Sequence, residues 1–223
     1  MDSRETLRAV PQGKSLQWSD LRREGHEGYA RVAGDLRRKA QAILDATGWP
    51  DLFTERFGTC ALTGSARYDL MVWPDIDIHM PVPASYRIEW AAMLPELNAR
   101  LEKAGLRLHK AQMWDDYVDP HPLGAGLYWG IQFVEADGTA WKSDIWGWEP
   151  DDYARRQAKD AELMARLETI DRDLILRLKT EAIARPDYYG PVIGSWHIYH
   201  AVLAGAGASL ADVERWKAEN PQW

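Results

Sequence analysis

The sequence is poor in cysteine and contains no long apolar segment. Its single cysteine among 223 residues, Cys60, excludes an internal disulfide and a zinc site made of several cysteines. No apolar run approaches the roughly 18 residues of a membrane-spanning helix. The opening residues, Met-Asp-Ser-Arg-Glu, lack the basic-then-apolar layout of a signal peptide. These absences predict a cytoplasmic protein.

The chain also lacks an excess of basic residues. It has 27 Lys and Arg against 34 Asp and Glu, which gives a formal net charge of −7 at pH 7. Proteins that bind extended nucleic acid are usually basic, because they must neutralise phosphates. The charge balance therefore argues against an extended nucleic-acid partner. With 46% hydrophobic residues, the chain can form a substantial core in one large or two small domains.

Helical and strand patterns are mixed in the first two thirds of the chain and predict an α+β protein. Apolar spacing marks helices at 20–46 and 85–104, and strands at 57–63, 75–80, within 106–118, at 127–135 and at 139–148. The Asp137-Gly138 pair between the last two strands is a strong hairpin signal. Residues 1–149 should therefore form a first domain, a small mixed sheet with flanking helices.

The remaining residues, 150–223, show helical patterns only. One apolar stripe runs from residue 151 to 184, and it leaves room for a break near residues 169–171. Another helix is predicted from Gly190-Pro191 to about residue 204, because proline is favoured at a helix start. Ser209 then begins a capping box for a last helix. The second domain is therefore predicted to be a helical bundle.

The most informative stretch of the sequence places two aspartates in one strand. Asp75 and Asp77 alternate with Ile76 and Ile78, so the carboxylates point to one face and the isoleucines to the other. Two unpaired carboxylates so close together repel each other, and a divalent cation with a preference for oxygen ligands, such as Mg²⁺, removes that conflict. The pattern predicts a Mg²⁺ site. A surface Asp-x-Asp on an edge strand is the alternative.

A glycine-serine turn, Gly64-Ser65, precedes the aspartates. Such a turn offers backbone N–H groups, a hydroxyl and close approach to a ligand, all of which suit a phosphate. Together, residues 62–78 resemble the nucleotidyltransferase motif of the polymerase-beta-like superfamily. The matching positions are Leu62 or Thr63, Gly64, Ser65, the spacer 66–74, Asp75, Ile76, Asp77 and Ile78. A short sheet followed by a helical bundle is also similar to the layout of antibiotic and minimal nucleotidyltransferases.

The resemblance implies a third acid on a later strand, between hydrophobic residues. Asp144 fits this position, and by strand alternation it shares a face with Lys142 and Trp146. The alternative is a half-exposed aspartate on an antiparallel strand. The resemblance further implies two Mg²⁺ ions, one held by Asp75 and Asp77 and the other by Asp77 and Asp144.

The resemblance also implies a nucleoside triphosphate substrate. Gly64 and Ser65 would take its terminal phosphates, and Arg67 is a candidate for a bidentate phosphate contact. Lys142 is a further candidate for phosphate charge or for offsetting Asp144. For Arg67 the alternative is a solvated residue at a helix start, and for Lys142 it is a lysine on an exposed strand face.

Several other side chains are secondary candidates. Trp146 and Trp148 continue the Asp144 face and either stack on a base or acceptor ring or pack between sheet and bundle. His79 follows the aspartate pair. His197 and His200 lie three residues apart on one helix, but zinc needs more ligands than two and no third is evident, so they are interpreted as helix-face or pocket residues.

The function predicted from these residues is Mg²⁺-dependent transfer of a nucleoside monophosphate, with ATP as the first candidate donor, to a hydroxyl of a small molecule or a protein. Alternatives remain. A toxin–antitoxin nucleotidyltransferase acting on a protein or tRNA partner would have the same active site, and a non-catalytic binding module could have the same fold. An enzyme of RNA ends would need a basic groove, and the helical half shows no dominant basic stripe.

Overall fold

A computed structural model describes residues 18–119, 124–185 and 188–221, with the backbone alone for residues 18–27. Its centre is one mixed, open five-stranded sheet, which confirms the predicted α+β class. The strands are β1 (Ala61–Thr63), β2 (Asp75–Pro81), β3 (Arg107–Asp115), β4 (Gly126–Val134) and β5 (Ala140–Trp148). They lie in the order β1-β2-β5-β4-β3. Only β2 and β5 run parallel to each other; the other neighbours are antiparallel.

Helices flank the sheet and make up the C-terminal part. The first group is α1 (Trp18–Thr47), α2 (Trp49–Phe57), α3 (Gly64–Tyr68), a 3₁₀ turn (Ala84–Tyr86), α4 (Arg87–Ala91) and α5 (Leu94–Lys103). The second group is α6 (Pro150–Leu167), α7 (Arg172–Ile183), α8 (Ser195–Leu203) and α9 (Leu210–Glu219). Among the described residues, none of these helices is long and apolar enough to cross a bilayer.

Two apolar clusters form the core of the part of the chain that the structure describes. The first lies between the sheet and helices α1, α2, α4 and α5, and it contains Ile76, Ile78 and Ile145. The second joins the four C-terminal helices to the segment just before β2, including Leu70 and Trp73. The proposed boundary between residues 149 and 150 falls between β5 and α6, and the second cluster contains residues from both sides of it. The bundle therefore packs directly against the chain that leads into the aspartate pair.

The predicted strand at 57–63 is wrong over its first half. Helix α2 occupies its start, and β1 covers only Ala61–Thr63. The Gly48-Trp49-Pro50 sequence does end α1, with Gly48 in the left-handed conformation (φ 59°). Helix α2 then begins at once at Trp49 and tolerates Pro50, because a proline in the first helical turn loses no intrahelical hydrogen bond.

The predicted single helix at 85–104 is also wrong. A 3₁₀ turn, α4 and α5 replace it, with a break at residues 92–93. Pro95 lies in the first turn of α5 and lacks the backbone N–H needed to continue a helix from α4. By contrast, α1 runs through Gly28 and Gly34 without interruption, although these glycines could have divided it.

The C-terminal predictions are mostly confirmed. The long stripe divides into α6 and α7 at residues 168–171, and Ser209 caps α9 by accepting from the Asp212 N–H. The helix predicted from Gly190-Pro191 instead begins at Ser195. Gly190 adopts φ 94°, outside the helical region, and the chain turns back so that Tyr189 bridges to Ile193 before the helix starts.

Candidate metal and nucleotide site

The parallel pairing of β2 with β5 brings the three predicted acids together. Asp77 lies directly opposite Asp144, and Asp75 lies opposite Lys142. One carboxylate oxygen from each aspartate lies within 4.8 Å of the others. We call Asp75, Asp77 and Asp144 the aspartate triad. Its convergence follows from strand alternation plus a register that only the tertiary fold supplies.

The residues between the acids face the opposite side of the sheet, as alternation predicts. Ile76, Ser143 and Ile145 are fully buried in the core. The Ser143 hydroxyl donates to the Ile76 carbonyl oxygen (2.9 Å), so the polar atom on this face is satisfied. The core face therefore contains the isoleucines and a satisfied hydroxyl group, and the carboxylates lie on the other face.

The electrostatics of the triad favour a cation. Burial, followed by the charges of Asp75 and Asp144, raises the pKa of Asp77 well above its usual range. Burial also raises the pKa of Asp75, against the opposing effect of Lys142 and a hydrogen bond from Trp73. Asp75 Oδ1 is buried and accepts no hydrogen bond from the described residues. A Mg²⁺ ion fits this set because three carboxylates supply hard oxygen ligands and one buried oxygen lacks a donor.

Lys142 lies within the triad. Its Nζ forms an ion pair with Asp144 Oδ2 and lies 3.8 Å from Asp75 Oδ1. Burial by itself lowers the pKa of Lys142, but Asp144 and Asp75 outweigh that effect and raise it. The ammonium group therefore stays charged and acts as an internal counter-ion to the aspartates.

Tyr128 on β4 also contacts the triad, and it was not predicted from the sequence. Its hydroxyl donates to Asp144 Oδ1 (2.6 Å). Gly130 lies opposite Asp144 in the sheet, and a Cβ atom there would lie 2.6 Å from the Tyr128 hydroxyl oxygen. The sequence does contain a signal for this contact. The Asp137-Gly138 hairpin sets the register of β4 against β5, which pairs Tyr128 with Trp146, and Trp146 lies on the same face as Asp144.

Gly64 lies against the triad through its backbone. It adopts φ 62°, in the left-handed region, and a Cβ atom on it would collide with Asp77 Oδ2 and lie 2.8 Å from Asp77 Cγ. Both the conformation and the space therefore require glycine. The predicted turn and the predicted aspartates are in contact.

Ser65 is tied into the helical bundle by a buried lysine that was not predicted. Lys179 on α7 is fully buried, and its Nζ donates to Ser65 Oγ (2.7 Å), the Leu70 carbonyl oxygen (2.6 Å) and the Tyr199 hydroxyl (2.9 Å). An ammonium group only donates, so Ser65 Oγ accepts here and its own proton points elsewhere. The sequence signal was a lysine on the apolar stripe, four residues after Ile175.

Arg67 is not brought to the triad. Its guanidinium lies 3.5 Å from the Leu62 carbonyl oxygen and 3.5 Å from Gln157 Oε1, and it pairs with Asp160 on α6 (3.8 Å). Its role in binding phosphate stays a prediction, and in this structure the side chain connects α3 to α6.

The secondary candidates occupy different surroundings. Trp146 and Trp148 stack on each other (4.3 Å between ring centroids), and Trp148 is also covered by the Arg156 guanidinium. His79 packs edge-on against Trp148, and burial followed by Arg156 lowers its pKa to about 3, so it is neutral at physiological pH. Among the described residues, the aspartate triad is the only group of three potential metal ligands, and it includes neither His197 nor His200.

Comparisons of this chain with protein-family models, curated proteins and solved structures find no match. Membership of the polymerase-beta-like superfamily therefore stays a prediction. The chemistry of the site itself is the basis for a function.

Proposed function

We propose that this protein is a Mg²⁺-dependent nucleotidyltransferase that moves a nucleoside monophosphate from a nucleoside triphosphate to a hydroxyl group. The observation that carries the proposal is the convergence of three carboxylates from two adjacent parallel strands within 4.8 Å. A glycine backbone approaches the central carboxylate, Asp77, so closely that no side chain fits between them. Such an arrangement suits polyphosphate chemistry, in which oxygen ligands hold cations beside a backbone that a phosphate can approach.

The residues present divide the work as follows. Asp75 and Asp77 would hold one Mg²⁺, and Asp77 and Asp144 would hold the second. Bound Mg²⁺ supplies neutralisation of the triphosphate charge and a lower pKa for the acceptor hydroxyl. The backbone of Gly64 lies against Asp77, and together with the backbone of Ser65 it would position the terminal phosphates. Lys179 donates a hydrogen bond to Ser65 Oγ and so holds that side chain in place.

The proposed reaction is a substitution at the α-phosphorus. The acceptor oxygen forms a new bond to that phosphorus while the bond to the oxygen bridging to the β-phosphate breaks. Pyrophosphate leaves with the electron pair of that bond, and the hydroxyl proton passes to water. Atoms and charge balance without an oxidant or reductant.

The proposed donor is ATP, and the proposed acceptor is a small hydroxylated molecule or a protein side chain. The net charge of −7 attracts cationic acceptors over a distance set by the ionic strength. Acceptors of that charge are therefore the first group to test.

Tryptophan fluorescence and pyrophosphate release test the proposal together. Trp73 lies two residues before Asp75 in the chain and helps to lower the pKa of that carboxyl, so cation and nucleotide binding should change the emission. We expect Mg²⁺-dependent binding of ATP, and pyrophosphate release with at least one member of a panel of hydroxylated acceptors. Asp144→Asn should keep nucleotide binding and lose pyrophosphate release, whereas Asp51→Asn, on an exposed position of α2, should change neither.

Two results would contradict the proposal. The first is an unchanged emission spectrum with Mg²⁺ and each of the four nucleoside triphosphates, confirmed by calorimetry. The second is an Asp144→Asn variant that releases pyrophosphate at the wild-type rate. Either result would leave the fold without this function.

A further inference from the structure

The position of Lys142 raises a question about cation binding. The side chain is 17% exposed, and its ammonium group is bonded to Asp144. It also lies 3.8 Å from Asp75 Oδ1, the buried oxygen that accepts no hydrogen bond within the described part of the chain. The three carboxylates and this ammonium group carry a formal charge of −2, from three negative charges and one positive charge. One of the ligands available to a divalent ion is therefore already paired with a cation that belongs to the chain.

A metal ion and the ammonium group compete for the same oxygens. The Mg²⁺ ion that Asp75 helps to hold and the one that Asp144 helps to hold would each share a carboxylate with the Lys142 ammonium, and positive charges placed so close together in a partly buried site repel each other strongly. A lysine side chain has a flexible four-carbon stem, so its head can move while its Cα stays in β5. A displaced ammonium group in this partly buried place then needs another anion.

We propose that Lys142 is an internal cation that Mg²⁺ displaces, and that the nucleotide's phosphates become the new partner of its ammonium group. This inference rests on the proposed function. Lys142 then couples the two ligands: each one improves the other's affinity, because the phosphates stabilise the displaced lysine and the metal ion displaces it. By thermodynamic linkage, the nucleotide raises the metal affinity by the same factor as the metal ion raises the nucleotide affinity. In the absence of nucleotide, the lysine keeps cation affinity low.

The test measures Mn²⁺ alone, by calorimetry on the nucleotide-free protein, and so does not depend on activity. Lys142→Met removes the charge and keeps a similar length of chain. We expect its Mn²⁺ affinity to rise at least about tenfold, because like charges held together cost several kcal/mol. Lys142→Arg retains the positive charge and should bind Mn²⁺ as weakly as the wild type.

Lys110→Met is the matched control. Lys110 lies on β3, and the sheet register places it in the same cross-strand row as Lys142, beyond Gln132 on β4. It is exposed, so its loss removes the same charge from the same face without touching the triad. Its Mn²⁺ affinity should be unchanged. Should Lys142→Met not fold, as judged by circular dichroism, Lys142→Gln removes the same charge with a polar side chain.

The coupling has a second measurement. α,β-Methylene-ATP should strengthen Mn²⁺ binding more in the wild type than in Lys142→Met. The nucleotide's own affinity for Mn²⁺ is common to both proteins, so the difference reports the lysine.

Each outcome separates the inference from the proposed function. Equal or weaker Mn²⁺ binding by Lys142→Met, compared with the wild type, would overturn the inference alone. No Mn²⁺ binding by any variant, with or without nucleotide, would make the cluster a permanent ion network and overturn both. Mn²⁺ binding that is coupled to the nucleotide through Lys142, without turnover on any acceptor, would support the inference and count against the proposed transfer reaction.

Discussion

The two faces of β2 and β5 are made from alternate residues of the same two strands, yet they follow opposite physical rules. On one face, Ile76, Ile78 and Ile145 are buried and contribute stability by removing apolar surface from water. On the other face, Asp75 and Asp77 are also largely withdrawn from water, but withdrawal disfavours their charged forms and raises their pKa values. Burial on the first face stabilises the fold, whereas burial on the second face costs stability and groups carboxylates that could hold a metal ion.

This contrast predicts that substitutions on the two faces separate stability from binding. A change on the core face should reduce the free energy of unfolding and leave the ligand site intact in the molecules that remain folded. Loss of a triad carboxylate should weaken cation binding or abolish turnover and leave the fold as stable or more stable, because it removes a poorly solvated charge.

The largest effect is expected from Asp77→Asn. This residue lies opposite Asp144 and would contact both cations, so its loss should reduce pyrophosphate release by at least about a thousandfold, which corresponds to several kcal/mol of metal assistance. The free energy of unfolding, measured by urea denaturation without metal, should be unchanged or higher. Wild-type turnover by Asp77→Asn would refute the two-metal arrangement, and a lower unfolding free energy would show that the carboxylate stabilises the fold.

The core face provides the converse test. Ile78→Ala removes a side chain that is 2% exposed and should lower the free energy of unfolding by about 3 kcal/mol in urea denaturation. Ile88→Ala makes the same chemical change at a position that is 85% exposed and should alter stability by less than about 0.5 kcal/mol. Below the unfolding transition, Ile78→Ala should bind Mn²⁺ with wild-type affinity. A weakened site in the folded variant would show that the two faces are not independent.

A smaller effect separates backbone strain from crowding at the triad. Gly64 and Gly105 both adopt left-handed conformations, with φ values of 62° and 75°. Alanine at either position should cost about 1–2 kcal/mol of stability, measured by thermal denaturation. Only the Gly64 methyl group meets Asp77, since no atom of the described residues lies within 4 Å of a Cβ placed on Gly105. Weakened Mn²⁺ binding is therefore expected for Gly64→Ala alone, and equal binding by both variants would count against close contact between turn and triad.

The smallest effect concerns a titration in the bundle, far along the chain from the triad. Burial, followed by the Arg166 charge, lowers the pKa of His200 from 6.5 to about 4. Because the pKa of His200 is lower in the folded state, folding favours the neutral imidazole. The contribution of His200 to the free energy of unfolding is therefore fully present above about pH 6.5 and is lost as the pH falls toward 4. His200→Asn should reduce the fall in Tm between pH 7 and pH 5 by a few degrees at most, because the side chain is half-buried. An unchanged fall in Tm would show that other groups control the acid sensitivity.

Much of the site could be predicted because its signals are local. The alternation of Asp75 and Asp77 with isoleucines needs only the period of a strand. The glycine-serine turn needs only the conformational freedom of Gly64, and the hairpin before Asp144 needs only the Asp137-Gly138 pair. These features do not depend on how the helices and strands pack together, so the residues alone indicate them.

Other features could not be predicted because they depend on contacts between distant segments. The local sequence shows Lys179 only as a polar residue in a helix. The tertiary packing of α7 against the glycine-serine turn shows that its ammonium group binds Ser65. Arg67 has the local pattern of a phosphate ligand, yet the position of α6 places Asp160 beside it. The errors at α2 and at the break before α5 arose from Pro50 and Pro95, whose effect depends on whether a helix starts or continues there.

The sequence alone determined which residues share a face, because the side-chain direction along a strand repeats every two residues whatever the strand packs against. It could not determine which strands are neighbours. The tertiary structure decided that β5, not β3 or β4, lies parallel and next to β2, and so set Asp144 opposite Asp77 and Lys142 opposite Asp75. Pairing between segments more than 60 residues apart depends on the burial of both isoleucine faces in one core, which is a property of the whole chain.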